Sequence, residues 1–600
     1  MSKWRILAAI IAIVLTGCGG SSNTNTEDIV DDLDNEIDAP IGGDSDASDS
    51  EGVPEPSNEP ESPDIDAPDI DVGEPSVGDI TVDEDTPDIS VGTDQPRVLL
   101  AIGTQAPGTT DGILSAVNEI VVSDNGIIAF SGQFTVGSER ISAVWYGPID
   151  EPSLLIQSSD GFIDASPSVR FESASNLQLT SNDTLGFFAN LSGSETRDGY
   201  AITTESGVSL LFVPGVTSAV DFAGTTQIAD RVTDASLSDA GVALRMRSDE
   251  KEFIAILAVD GSTTYIAETV GFIETAPSQQ RFTGSNCPFE IPSTGGQDLF
   301  VYLDNGELIL EVSEDTERGE LDQCGGGLAI VRFSNGLFTE IIGQSDLLPG
   351  SNSSVTSLGT GTRIVGSNQA GDIIVRTGTT LVDNERVESL WRFSRSGDAD
   401  LIAIEGESIQ LSTRAGEFEN FLPDQISFLS GQFAVTSRVA NTSGLFAGTI
   451  RQGQPHENLA LPGASALNVI IAEDGLSPSG FSESVFFSGI SEPFILTPNN
   501  LFFVGTLTDA ATSQVVDESL WRSDFEGGLD RLISVGDDIA VNGEVEQIVQ
   551  GLFGAQTIGD NGFVFRGSGN EVLVGVETVT PGGTAFNARF VLLAIENGLP

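Results

Sequence analysis

The sequence predicts an all-β fold, a β-propeller of seven or eight four-stranded blades behind a disordered acidic linker, and two observations carry that prediction. From Arg97 to Pro600, short apolar runs with period-two alternation are punctuated by Asn-Gly, Asp-Gly and Gly-Ser turns, with no long helical periodicity. In addition, a turn followed by an apolar strand recurs at marks near residues 126, 184, 241, 296, 371, 431, 501 and 562, which is about one per 60 residues. A propeller blade has that size and content, because each small sheet buries its faces only against its neighbours.

The marks are the first element of each unit. Asp124-Asn125-Gly126 leads into Ile127-Ile128-Ala129-Phe130, and Asp560-Asn561-Gly562 leads into Phe563-Val564-Phe565. Asn-Gly favours the two-residue type I′ hairpin, so these turns are expected to be of that type. The second element is tryptophan: Trp145, Trp391 and Trp521 each follow a mark by about 20 residues, the last two within the same Glu-Ser-Leu-Trp-Arg string. Residues at one repeat position are expected to be packing anchors between blades. The third element is an apolar segment roughly ten residues further on, as Leu154-Leu155-Ile156, Leu401-Ile402-Ala403-Ile404 and Leu532-Ile533-Ser534-Val535. With the segment leading into the next mark, these make four antiparallel strands. Val98-Leu99-Leu100-Ala101-Ile102-Gly103 matches the third element but precedes the first mark, as a strand closing the last blade would. Val591-Leu592-Leu593-Ala594-Ile595 repeats it near the other end, so the last blade could already own that strand. An open β-solenoid and a pair of β-sandwiches are the alternatives.

Residues 19–96 hold 25 Asp+Glu, no Lys or Arg, and no Phe, Tyr or Trp. Such a segment cannot bury a core, and its charge and Pro content read as a disordered, self-repelling tether. Beyond it lie all 33 Phe, with 65 acids against 23 Lys+Arg. The chain divides accordingly into 1–18, 19–96 and 97–600.

The first segment is an export signal: Lys3 and Arg5 precede an apolar run from Ile6 to Leu15 that is too short to span a bilayer. The run ends in Leu15-Thr16-Gly17-Cys18. This resembles the lipobox of bacterial lipoproteins, which implies that Cys18 is lipidated and becomes the mature N-terminus. More than one acyl chain makes membrane release slow. Gly19 follows where an aspartate would imply inner-membrane retention, so the resemblance implies an outer-membrane lipoprotein, facing the periplasm or the cell surface. The degenerate mark Ser123 to Phe130, with a weaker copy at Asn368 to Val375, resembles the NxxGxxAF tandem-repeat proteins of bacterial envelopes. That resemblance implies a propeller-like repeat protein and assigns no catalytic residue.

Composition excludes several functions. A net charge of −65 argues against DNA, RNA or anionic membrane surfaces as partners, because such binding runs on cationic counterion release. One histidine, His456, rules out sites needing two imidazoles, and three cysteines rule out four-cysteine zinc modules. No nucleophile elbow accompanies His456, which reads as a surface loop residue. Cys287 and Cys324 straddle the mark at 296, which opens the longest repeat unit, in a chain sent to an oxidising compartment, so a disulfide between them is expected. The acidic turns Ser123–Gly126, Leu303–Gly306 and Gly559–Gly562 offer oxygen ligands for Ca2+, but none has the spacing of a calcium loop. No metal or other cofactor is therefore expected. Two functions fit: a monomeric, non-enzymatic, lipid-anchored propeller that binds a protein or polysaccharide, and a carboxylate-dependent glycan-active enzyme on the same scaffold. A passive surface spacer is the third.

Overall fold

The computed structural model describes residues 96–594, apart from internal segments of which the longest are 272–288, 315–327, 450–466 and 552–563. Cys18, Cys287, Cys324 and His456 lie outside the described residues. Every regular element among those described is a strand; apart from a two-stranded ladder of Ser218–Val220 with Thr226–Ile228, the strands form eight sheets in chain order, the blades of an eight-bladed β-propeller.

Blade 1 shows the pattern: Ile113–Val122, Ile127–Val136, Glu139–Pro148 and Ser153–Gln157 pair in sequence, all antiparallel. Blade 2 repeats it from Arg170–Leu179 to Gly207–Phe212, and blade 3 from Arg231–Ser238 to Thr263–Ile266. Blade 7 runs from Val485–Thr497 to Leu529–Ser534. Blades 4, 5 and 8 have a first strand in two pieces, such as Glu544–Gly551 with Val564–Arg566, both laid along Glu571–Val579. Blade 6 keeps the strand whole as Ala415–Leu429, with irregular register at Phe421/Ile426. First strands touch between blades 1 and 2, 2 and 3, 3 and 4, 5 and 6, and 6 and 7, and that of blade 1 touches Val564–Arg566 of blade 8, so they line the axis of the ring.

The core explains why the second strands read as unbroken apolar runs: they are buried on both faces. In blade 1, Ile128 and Phe130 face blade 8 while Ala129 faces blade 2. Eight apolar clusters result, one at each of the eight seams. Trp145 packs in the seam between blades 8 and 1, Trp391 between blades 4 and 5, and Trp521 between blades 6 and 7. All three are at most 2% exposed.

The ring closes through Arg97–Ala101, which pairs antiparallel with Phe586–Ala594 as the fourth strand of blade 8. Val591 and its neighbours therefore belong to the third strand of that blade, opposite Val98 and Arg97. Two marks need correction. The second strand of blade 4 begins at Leu308, after Asn305-Gly306, and that of blade 8 begins at Glu571. The apolar residues after the supposed marks at 296 and 562, Phe300–Tyr302 and Val564–Arg566, are instead the later pieces of broken first strands. A break lets half a strand imitate a complete glycine-led one. The turn type also differs from expectation at Asn125-Gly126 and Asn305-Gly306. Only the glycine of each pair has positive φ, at 77° and 79°. Gly126 N donates to Ser123 O and Ser123 N to Ile127 O, the pattern of a three-residue turn ending in a left-handed residue. Asp183, φ 65°, takes the glycine's place in blade 2.

Candidate functional site

Strand direction gives each blade two ends. One, the turn face, carries the turns between first and second strands and those between third and fourth. The other, the loop face, carries the hairpins between second and third strands and the connections from blade to blade.

The turn face is knitted together by its own polar groups. Asp183 accepts from Ser123 Oγ at 2.7 Å and from Asn125 Nδ2 at 3.2 Å, tying blade 2 to blade 1. Asp239 of blade 3 accepts from Ser181 Oγ and from Asn182 N, and Asp239 N donates to Asp304 of blade 4 at 2.9 Å. In blade 5, Arg392 holds Asp372 and Asp400, each at 2.8 Å. Arg332 of blade 4 donates across the seam to the carbonyls of Gly371 and Arg395, both at 2.8 Å. The acidic turns considered for calcium at Ser123–Gly126 and Leu303–Gly306 thus engage their described polar side chains in seam contacts or, at Asn305, with Glu307 of the same turn. The turn at Gly559–Gly562 lies outside the described residues. Among the described residues, no group of three or more His, Cys, Asp or Glu is placed to hold a metal ion.

At the loop face a second device recurs, which the sequence analysis missed. After the fourth strand, a residue with positive φ donates its N–H to the first strand of the next blade: Gly103 to Leu114 O, Ser159 to Phe171 O, Gly406 to Phe418 O and Gly536 to Ile548 O. The bond is returned by Leu114 N to Thr104 O, Phe171 N to Asp160 O and Ile548 N to Asp537 O. These pairs satisfy the otherwise bare edge of a first strand. The trace in the sequence is a short Ile-Gly, Ile-Glu-Gly or Val-Gly, missing altogether at Ser159 and too common to stand out. Carboxylates hold the same loops: Asp537 accepts from Ser534 N at 2.8 Å, and buried Asp517 accepts from Ser519 Oγ at 2.6 Å and also from Ser534 Oγ. Burial, with neighbouring Asp517 adding to it, raises the carboxyl of Glu518.

Beyond these, the loop face carries side chains the fold does not use. Nine large apolar side chains are exposed among the described residues. Eight lie at this face: Ile113, Val136, Ile163, Ile228, Val515, Val516, Val545 and Phe586; Leu337 alone is at the turn face. Phe586 is 68% exposed. The described exposed arginines divide the same way. Arg97 and Arg395, at the turn face, pair with Asp150 and Glu307. Arg140, Arg170, Arg231 and Arg438 stand at loop-face strand ends, and among the described residues no salt bridge engages them. Arg170 and Arg231 open the first strands of neighbouring blades, beside the axis.

One half-buried carboxylate has an unusual titration. Burial lifts Glu311, on the second strand of blade 4, to about 7, and Arg245 of blade 3 opposes the shift. Since the folded state favours the neutral acid, the stability this group contributes is full below its unfolded value and is lost as pH rises through about 7. Glu311→Gln is expected to raise stability at pH 8 by about 1–2 kcal/mol after allowance for solvent screening, with a smaller gain at pH 5. Urea unfolding at the two pH values measures it, and an equal gain at both would exclude this titration as the cause.

No protein-family model matches the chain. No curated protein sequence matches it either. Solved structures with similar folds include polysaccharide lyase Uly1, at 9% identity over 82% of this chain and 92% of that one, with a TM-score of 0.28. An ulvan lyase described as a new polysaccharide lyase family, PL25, matches at 12% identity over 82% and 96%, with a TM-score of 0.24. The WD40 domain of SCAP from fission yeast matches at 9% over 84% and 98%, with a TM-score of 0.23. Similarity this low carries no statement about shared activity.

Proposed function

We propose that this protein is a lipid-anchored envelope protein, held at the outer membrane through Cys18, that binds a protein or polysaccharide partner on the loop face of its propeller. The asymmetry between the two faces supports the reading: exposed apolar side chains and unpaired arginines collect at one face, while the other turns its polar groups inward on the seams. Apolar surface rimmed by polar groups marks binding sites on soluble domains, and guanidinium groups not engaged with protein carboxylates are available to carboxylate, sulfate or hydroxyl oxygens of a ligand. The acidic segment 19–96 serves as the tether, and a disulfide between Cys287 and Cys324 pins a loop of blade 4. The test compares the faces on an array of envelope glycans and purified envelope proteins. The double variant Val516→Asp/Phe586→Asp is expected to weaken binding at least about tenfold, the effect of losing two partly buried apolar contacts, while Leu337→Asp on the turn face leaves it unchanged. Equal effects from both faces would sink the proposal. Cys18→Ala is expected to move the protein from the detergent phase to the aqueous phase, and unchanged partitioning would remove the lipid anchor from the proposal.

A further inference from the structure

Six Asn-Gly pairs occur in the sequence, and four fall among the described residues. The structure sorts those four into two chemically different pairs. At Asn125-Gly126 and Asn305-Gly306 the reacting groups are engaged. Gly126 N donates to Ser123 O at 3.1 Å and Gly306 N to Leu303 O at 2.8 Å. Asn125 Nδ2 donates to Ser181 O at 2.6 Å and to Asp183, across a blade seam. Asn305 Nδ2 donates to Glu307, whose own N–H returns to Asn305 Oδ1 at 3.0 Å.

Asn335-Gly336 and Asn542-Gly543 are different. Each is a two-residue hairpin with positive φ at both positions, 51° and 80° in one, 53° and 86° in the other, the type I′ turn. The ladder bonds of such a hairpin join its flanking residues, here Ser334 with Leu337 and Val541 with Glu544, which leaves the glycine N–H pointing to solvent. All four turn residues are exposed, and nothing lies within 4 Å of where a Cβ on either glycine would sit. The Asn335 amide touches only the hydroxyl of adjacent Ser334, at 3.2 Å.

We infer that Asn335 and Asn542 are sites of spontaneous deamidation, whereas Asn125 and Asn305 are protected by the fold. In the reaction, the glycine nitrogen attacks the asparagine Cγ. The new C–N bond forms, the C–NH2 bond breaks, and ammonia leaves with the proton from the glycine amide. Water then opens the cyclic imide at either carbonyl, giving aspartate or isoaspartate. The net exchange is ammonia for water, without oxidant or enzyme. Glycine permits the attack because it presents no side chain to the approaching carbonyl carbon. Conversion places a new carboxylate on the turn face at residue 335 and on the loop face at residue 542. Where isoaspartate forms, the backbone lengthens by one carbon inside a turn that tolerates no insertion.

The experiment ages the full-length protein in detergent micelles at neutral pH and follows the four peptides by mass spectrometry, with isoaspartate scored by enzymatic methylation. Asn335 and Asn542 are expected to convert at least about tenfold faster than Asn125 and Asn305, because the latter must first release two hydrogen bonds. In urea the four rates are expected to converge. The variant Asp183→Ala, which removes one partner of the Asn125 amide, is expected to raise conversion at Asn125 alone. The inference fails if Asn125 or Asn305 converts as fast as the exposed pair in the folded protein. It fails equally if the fourfold comparison is the same in the folded and unfolded states.

Discussion

Arg589→Met is expected to destabilise the protein by about 3–5 kcal/mol, as removal of one partner from a buried ion pair does. Arg589 is 5% exposed on the third strand of blade 8. Its Nε and Nη2 bond both oxygens of Glu546, at 2.9 and 2.8 Å, and its Nη1 donates to Ile102 O at 2.9 Å. A single guanidinium therefore joins the first strand of the last blade to the exit of the strand that closes the ring. Glu546 is itself 4% exposed and also accepts from Thr578. Burial would raise its carboxyl, but hydrogen bonds from Arg589 and Thr578 and the charge of Arg589 together hold it below the usual range. A depressed folded pKa contributes stability that is present above the unfolded value and lost as pH falls through the folded one. The cost of the variant is accordingly expected to be largest at neutral pH and to shrink in acid. Adding Glu546→Leu should recover much of the loss, since the stranded charge goes with it. Urea unfolding of the two variants measures this, and a loss under about 1 kcal/mol for the single change would mean that water reaches Glu546.

The elements that were legible in the sequence are those whose residues declare their surroundings locally. Ile127 to Phe130 and Leu501 to Val504 read as strands because both faces of a blade meet a neighbour, so polar interruptions are absent. Val98 to Ala101 was legible as a displaced copy of the third repeat element, which the structure makes a fourth strand, while Val591 to Ala594 was ambiguous because third and fourth strands carry equally apolar patterns. Only the pairing of Val98 with Val591 separates them. The first strands were illegible. Bulges at Leu114/Ala116 and Val232/Asp234, and outright breaks in blades 4, 5 and 8, destroy the alternation that a strand needs to be recognised. The first strands are also where one blade reaches the next: Leu177 N finds Glu119 at 2.8 Å, Leu237 N finds Gln178 at 2.8 Å, and Tyr302 N finds Ser236 at 2.8 Å. A side chain chosen to satisfy a backbone some 60 residues away leaves no local signature. The loop face is hidden for a related reason: Arg140, Arg170, Arg231 and Arg438 look like any other arginine until the ring shows which of them have carboxylates within reach.

The three tryptophans share a repeat position but not a polar environment, and that difference fixes a second large effect. Trp145 stacks on Phe130 with centroids 4.7 Å apart and meets Phe134 edge-on, while its Nε1 donates to Pro107 O at 2.9 Å. Trp521 meets Phe487 edge-on at 5.2 Å, and its Nε1 is buried with no partner. Gly505 lies so close beneath it that a Cβ there would come within 2.9 Å of the indole nitrogen. Truncation to alanine is expected to cost about 3–5 kcal/mol at either position, because each empties a seam between two blades that packs like a core. Phenylalanine separates them. At 145 it forfeits a hydrogen bond and leaves the Pro107 carbonyl unmatched, so a loss of about 1–2 kcal/mol is expected beyond the smaller ring. At 521 it removes a donor that was already unsatisfied, which offsets the lost area, and the net change is expected to stay below about 1 kcal/mol. Thermal and urea unfolding of the four variants test the pattern. If Trp521→Phe proved as costly as Trp145→Phe, the indole nitrogen at 521 would have to be hydrogen-bonded in solution, and the blade 6 to blade 7 seam would have to open enough to admit its partner.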